Sequence, residues 1–162
     1  PQDLHSFPTR RSSDVPEMAA FPGKGIEDLT GLERCVNLAV LAFGGNEISN
    51  LTPLAALTNL TTLGLQNNQI SDLTPLAALT NLTTLWLSGN KISDITPLVS
   101  LGNLTEIQLE RNQISDIGPL ASLTNLTRLY LENNPLSQES TDIHIPNLNS
   151  RGLLKRRRGH PF

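Results

Sequence analysis

Histidine and cysteine are the residue types here that best support catalysis or transition-metal binding, and they are scattered along the chain. None of the three histidines, His5, His144 and His160, stands beside a nucleophile or a set of metal ligands. Cys35 is the only cysteine, so no internal disulfide can form. It occupies a position filled by leucine further along, which favours a small buried hydrophobe over a reactive thiol. The sequence predicts no enzyme and no cofactor.

Aspartate recurs at a position that could suggest a calcium site. Asp72, Asp94 and Asp116 each follow a serine and lie 22 residues apart. Calcium takes about six to eight oxygen ligands, whereas this pattern supplies one carboxylate per copy. An aspartate in a turn can instead accept hydrogen bonds from backbone N–H groups. We therefore expect these residues to start a turn and predict no metal site.

Asn-Leu-Thr triplets match the acceptor pattern for N-glycosylation. They recur because the surrounding sequence recurs, so we expect structural ladders of asparagine and threonine along one edge. The triplets begin at Asn50, Asn59, Asn81, Asn103 and Asn125.

The only tryptophan and the only tyrosine, Trp86 and Tyr130, are 44 residues apart, twice the spacing of the aspartates. Tryptophan, tyrosine and arginine are the residues most often found as interface hot spots. Whether these two share a surface depends on the elements that carry them.

A 22-residue repeat positions all of these residues. Residues 60–81 read LTTLGLQNNQISDLTPLAALTN, and residues 82–103 and 104–125 follow the same pattern. Such self-similarity is the signature of a repeat protein. One column of asparagines fixes the register: Asn46, Asn68, Asn90, Asn112 and Asn134.

Each repeat unit predicts a short strand followed by a return arm. Apolar Leu63 and Leu65 alternate with polar residues or glycine, as in a strand with one buried face. After Asn68 apolar residues recur every three positions, with Pro75 among them, which suits a 3₁₀-like turn. One coil cannot cover its own leucines, so copies must stack. The column asparagine then points inward, satisfied by backbone groups of its own and the neighbouring coil.

The repeat array is predicted to cover residues 19–136, beginning with a degraded unit. Residues 1–18 lack its periodicity, and residues 5–14, HSFPTRRSSD, resemble a translated sequencing adapter. We expect residues 1–18 to be a disordered, artefactual leader on a fragment of a longer protein.

A cap and a tail are predicted after the array. Residues 137–152 suit a short helical cap in which Ser137 is the N-cap and Ile143 and Leu148 face the last coil. Residues 153–162 predict a basic, disordered tail. A single basic cluster without interleaved aromatics is weak evidence for a nucleic-acid site, so we expect a frayed or frame-shifted end.

Composition supports one domain of 162 residues with 38% hydrophobic content. The net charge of -3 is uneven, because residues 21–150 hold five basic against twelve acidic residues while residues 151–162 carry five positive charges. No stretch is long and apolar enough to span a bilayer.

The unit L-x-x-L-x-L-x-x-N-x-I-S-D-[LI]-x-P-L-x-x-L-x-N resembles the leucine-rich repeats of bacterial internalins over about residues 24–152. The resemblance implies an α/β-type right-handed solenoid with a concave parallel sheet, short 3₁₀ return arms and a short helical cap. It also implies protein recognition at a bacterial surface or after secretion. The chain departs from that family in lacking an N-terminal helical cap, a signal peptide and an apolar strand after Gly152, so its localisation is open.

The outward positions of the strands form the candidate binding surface. With neighbouring strands about 4.8 Å apart, Trp86 and Tyr130 fall in one column, about 10 Å apart on the concave face. The core does not need them, so we expect them to bind a protein partner within a polar rim. The predicted rim residues are Glu106, Gln108, Glu110, Arg111, Arg128 and Glu132.

Three functions stay open at this point. The favoured one is a monomeric protein-binding module without catalysis. The second is a structural spacer in a larger bacterial surface protein, which would have no use for Trp86 and Tyr130. The third is an intracellular repeat protein of the phosphatase-regulator kind, which a cytoplasmic parent gene without a signal sequence would favour.

Overall fold

Within residues 18–155, six parallel strands form one open sheet in sequence order. The computed structural model describes residues 18–155. Each strand pairs with the next at a shift of 22 residues, so that Leu63 lies between Leu41 and Leu85. The strands are β1 (Met18–Ala20), β2 (Val40–Ala42), β3 (Thr62–Gly64), β4 (Thr84–Trp86), β5 (Glu106–Gln108) and β6 (Arg128–Tyr130). This arrangement confirms the predicted repeat solenoid with a parallel sheet.

A 3₁₀ turn forms the return arm after each of the first five strands. In the last four turns a proline occupies the first turn of the element, where its missing N–H is not needed. The proline also fixes φ, which keeps the return arm short, as predicted. The turns are Leu32–Arg34, Thr52–Ala56, Thr74–Ala78, Thr96–Ser100 and Gly118–Ser122.

The core is a single apolar layer between the sheet and the return arms. Leu63 and Leu65 enter it from the strand side, Leu73 and Leu76 from the arm, and all four are at most 1% exposed. Every coil contributes equivalent residues, so each layer covers the next. Burial of this stacked layer is the main force that holds the coils together.

The first coil fills the same layer with different residues. Phe21 stacks on Phe43 with ring centroids 5.4 Å apart. Cys35 is partly buried and packs against the core in its leucine position. Burial, and secondarily the charge of Glu33, raises the pKa of the Cys35 thiol, so the thiolate form is disfavoured.

The column asparagines join each coil to the preceding one. Asn68 Nδ2 donates to the carbonyl of Leu65 in its own coil and to that of Phe43 in the preceding coil, both at 3.0 Å. Its Oδ1 accepts the N–H of Ile48 at 3.0 Å. Asn46, Asn90, Asn112 and Asn134 repeat this pattern.

Two further ladders run along the start of the strands. Asn81 Nδ2 donates to Thr58 O at 2.8 Å, and Thr83 Oγ1 donates to Thr61 O at 3.1 Å. Equivalent bonds are made by Asn59, Asn103, Asn125, Thr61, Thr105 and Thr127. Asn50 differs from the other triplet asparagines, because it lies in the aspartate column and accepts the N–H of Thr52.

A π-helical turn, Ser140–His144, and helix α1, Ile145–Ser150, follow the array. Ser137 acts as the N-cap, since its Oγ accepts the N–H of Ser140 at 3.1 Å. Leu148 is buried, as expected.

The expectation that Ile143 also faces the last coil is wrong, because its side chain is 58% exposed. A π-helical turn holds more residues than an α-helical one, so it rotates the positions that follow it. Ser140 is fully buried there instead. Its hydroxyl accepts the N–H of Ile117 at 3.2 Å and donates to Ser115 O at 2.8 Å.

The prediction of a disordered tail from residue 153 is wrong for its first three residues. Leu153 is buried, and Leu154 pairs in parallel with Leu129 of β6. The N–H of Lys155 donates to Leu129 O at 2.9 Å. The apolar strand that the sequence predicts to be absent after Gly152 is therefore present as a short bridge, because Leu153 and Leu154 complete the last core layer.

The rest of the predicted tail, residues 156–162, lies outside the described residues, and so does the predicted leader apart from Met18. Met18 itself begins β1 and pairs with Val40.

Replacing Asn90 by Leu should destabilise the array. The substitution removes the partners of Leu65 O, Leu87 O and the N–H of Ile70, and buried polar groups left unpaired cost about 1–3 kcal/mol. Urea unfolding gives the free energy, with Gln113→Leu, at an exposed position beside the ladder, as the control. An unchanged melting temperature in Asn90→Leu would contradict this account.

Candidate functional site

The sheet face is defined here as the side chains of β1 to β6, and of the residues directly after them, that point away from the core. The strand register places Gly64, Trp86, Gln108 and Tyr130 in one row across β3 to β6. Both aromatic residues are half-buried. They therefore lie on the same face with one strand between them.

The carboxylate of Glu106 joins residues from three neighbouring strands. Its Oε1 accepts hydrogen bonds from Trp86 Nε1 and Gln108 Nε2, each at 3.1 Å. Its Oε2 forms an ion pair with Arg128 Nε at 3.0 Å. The Glu106 side chain is 12% exposed and the Arg128 side chain 57%, so solvent screens the pair from the arginine side while the carboxylate itself is largely covered. Four of the predicted site residues thus form one connected group.

The indole of Trp86 extends across the sheet rather than out from it. On the β5 side its Nε1 donates to Glu106. On the β3 side its Cε3 lies 3.3 Å from the position that a Cβ atom on Gly64 would take. Sequence reasoning did not single out Gly64, although a glycine beside the only tryptophan in a surface column was a detectable signal.

Two predicted rim residues, Glu110 and Glu132, are buried and do not form an exposed rim. They are 5% and 8% exposed. Ser88 Oγ donates to Glu110 Oε2 at 2.5 Å. The sequence did not predict this hydrogen bond, which holds the carboxylate in place. The two carboxylates line a cavity of about 170 Å³, bordered also by Gln66, Asn67, Ser88, Arg111 and Asn133.

Arg111 is exposed at the edge of this cavity and has a left-handed backbone, with φ of 55°. The equivalent residue in the other coils is Gly45, Asn67, Gly89 or Asn133, all with positive φ. Glycine and asparagine enter this region readily, whereas arginine does so at a cost. Variation in this column therefore reflects a backbone requirement as well as surface chemistry.

Replacing Arg111 by Gly should stabilise the protein by about 1–2 kcal/mol, because the left-handed conformation is unfavourable for a residue with a long side chain. Urea unfolding measures the difference. Asn133→Gly is the matched control, with little expected change because asparagine tolerates this conformation. A loss of stability in Arg111→Gly would show that its charge offsets the nearby Glu110 and Glu132.

The aspartate column lies away from the sheet face, where the return arms begin. Asp72 and Asp94 each accept, through Oδ1, a backbone N–H two residues later, from Thr74 and Thr96, at 2.8 Å. Hydrogen bonds from the side chains and then the backbones of these threonines lower the pKa of both carboxyls. Asp116 makes the same backbone bond. Within residues 18–155 no three histidine, cysteine, aspartate or glutamate residues converge into a metal-binding group.

Replacing both Asp72 and Asp94 by Asn should flatten the acid end of the stability profile. A lowered native pKa contributes stability above the ordinary value, about 4, that is lost as pH falls through the native value. At pH 7 the double variant should be slightly less stable than the parent, because an amide makes the same bond without the charge, as Asn50 does, and the two should converge towards pH 2. Melting temperatures from pH 7 to pH 2 measure this, with Glu47→Gln as control. An equal loss of melting temperature on acidification in the double variant and in Glu47→Gln would contradict this prediction.

The three histidines do not extend the predicted binding site. His5 and His160 lie outside the described part of the chain. His144 borders a cavity of about 270 Å³ between the last return arm and the cap, which none of the predicted site residues line. Within residues 18–155 there is no helix of sufficient length and apolarity to traverse a bilayer.

Comparison with known proteins places the fold in a family. A family model described as Leucine Rich repeats (2 copies) matches residues 58–100 and 102–149. A search of curated proteins finds no match.

Solved structures give further likenesses. An internalin from Listeria monocytogenes is 33% identical over 74% of this chain, with a TM-score of 0.73, and this chain spans 36% of it. Internalin C2 of the same species is 28% identical, with 88% of this chain and 81% of that one covered and a TM-score of 0.63. A leucine-rich repeat protein of Leptospira interrogans is 27% identical over 81% of this chain and 34% of its own length, with a TM-score of 0.72. The chain belongs to the leucine-rich repeat family and is internalin-like.

Proposed function

We propose that this protein binds a protein partner on its sheet face, through Trp86 and Tyr130, and does no chemistry. The observation that carries the proposal is the connected group around Glu106, which holds Trp86, Gln108 and Arg128 together on one surface. A solenoid needs none of these bonds to stack its coils. Leucine-rich repeat domains generally act as protein-interaction modules, and their extended concave surface is what they use.

Residue types on this face match those of known binding surfaces. Tryptophan, tyrosine and arginine dominate hot spots, and Trp86, Tyr130 and Arg128 are all at least partly accessible here. Each combines a large body with a polar group, which suits an interface whose centre is apolar and whose edge is wet. A spacer gives no physical reason for this concentration of large side chains between β4 and β6.

The place of action belongs to the same proposal. Two of the similar structures are Listeria internalins, which favours a bacterial protein that is secreted or held at the cell surface. This chain spans 36% of the first of them and 81% of the second. We propose that it binds as a monomer, because a second copy on the sheet face would occupy the partner's site.

The test places a photo-crosslinking amino acid at Thr84, which lies on the same strand and face as Trp86 and outside the group around Glu106. The same group at Ala121, exposed on the last return arm, is the matched control. A protein crosslinked from Thr84 and not from Ala121 is identified, purified and titrated against the unmodified chain. Equal crosslinking from both positions would mean that the sheet face is not the binding surface.

The double substitution Trp86→Ala and Tyr130→Ala should weaken binding of that purified partner by at least about thirtyfold, corresponding to about 2 kcal/mol for a hot spot. Calorimetric titration measures the affinity. Lys91→Ala and Gln113→Ala, both exposed away from the row of aromatics, should bind as the parent does. Parent-like binding by the double variant would favour a structural spacer.

A further inference from the structure

We infer that Gly64 and Glu106 are positioning residues, which hold the indole of Trp86 across the sheet face in the orientation that a partner meets. The inference rests on the proposed function, because a held indole matters only if Trp86 binds a partner. The geometry that supports it is independent of any partner, because both contacts exist within the free chain.

Glycine at position 64 leaves the space that the indole uses. A Cβ atom there would lie 3.3 Å from Trp86 Cε3 and 3.2 Å from Gln66 Oε1, both tighter than usual contacts. Gly64 is paired with Trp86 in the register of β3 and β4, so it is the neighbour of Trp86 on the β3 side of that row. Its φ is not in the left-handed region, so the backbone alone does not require glycine. The side chains of Trp86 and Gln66 favour glycine there, because a Cβ atom would force them to shift by a few tenths of an ångström.

Glu106 fixes the opposite edge of the ring. The N–H of the indole donates to Oε1, and the ion pair with Arg128 through Oε2 restrains the carboxylate itself. Gln108 donates to the same Oε1, which adds a second restraint on the carboxylate. The ring is thus held from β3 by a contact and from β5 by a hydrogen bond.

A side chain already held in its bound orientation loses less entropy when a partner arrives. An exposed tryptophan on a short strand would otherwise sample several rotamers. Holding Trp86 therefore raises affinity and selects partners whose surface fits one ring orientation. This makes Gly64 and Glu106 determinants of specificity that need not touch the partner.

The first experiment uses the intrinsic fluorescence and near-ultraviolet circular dichroism of the full chain, in which Trp86 is the only tryptophan. Gly64→Val should fill the space under the ring, and Glu106→Ala should release its N–H. Both should lose the indole dichroism band and become easier to quench with acrylamide. Glu106→Gln keeps an oxygen acceptor and should retain the parent signal.

Thr62→Val, on the same strand and face two residues earlier, is the control and should behave as the parent. Far-ultraviolet dichroism and urea unfolding report whether each variant keeps the solenoid, and valine is well suited to a strand. Parent-like quenching in a folded Gly64→Val or Glu106→Ala variant would overturn the inference.

A second measurement separates this inference from the proposed function. The partner purified through Thr84 is titrated against Gly64→Val, Glu106→Ala and Trp86→Ala. Losses in the first two approaching that in Trp86→Ala support positioning. Loss of the Trp86 signal with parent-like binding would overturn positioning while leaving partner binding intact. If Trp86→Ala itself binds as the parent, the proposed role of Trp86 fails, whatever the spectra show.

Discussion

Every coil of this solenoid depends on its neighbour for the partners of its buried backbone. The column asparagine bonds one carbonyl in its own coil, one carbonyl in the preceding coil and one N–H there. An isolated coil would leave these groups and its leucines in water. Stacking therefore satisfies hydrogen bonds and buries apolar surface in the same step, which is why the repeat keeps one length throughout.

The same requirement explains how the array ends. At the C-terminal end Ser140 satisfies backbone groups at the start of the last return arm. Leu153 and Leu148 cover the last apolar layer, and Leu154 pairs with the edge of β6. The cap helix and two leucines thus cover the core of the last coil, as the following coil covers the core of each of the others.

Regular stacking also creates the surface on which function is proposed. Because all strands share one register, single substitutions in different repeats become neighbours, as Trp86, Glu106 and Arg128 do. The constant positions carry the fold, so the outward positions are free to differ. Arg111 shows a limit to this freedom, because its backbone must adopt a conformation that favours glycine or asparagine.

The sequence by itself determined the repeat length, the strand positions, the inward asparagines and the row containing Trp86 and Tyr130, because a strict period specifies neighbours without knowledge of distances. Tertiary structure alone decided that Glu110 and Glu132 are buried, that Glu106 joins three strands, and that Trp86 lies against Gly64. It also decided that Ile143 faces solvent and that Leu153 and Leu154 complete the end of the array. Periodicity fixes which residues share a face, whereas the direction that a long side chain takes depends on the space and partners offered by adjacent coils.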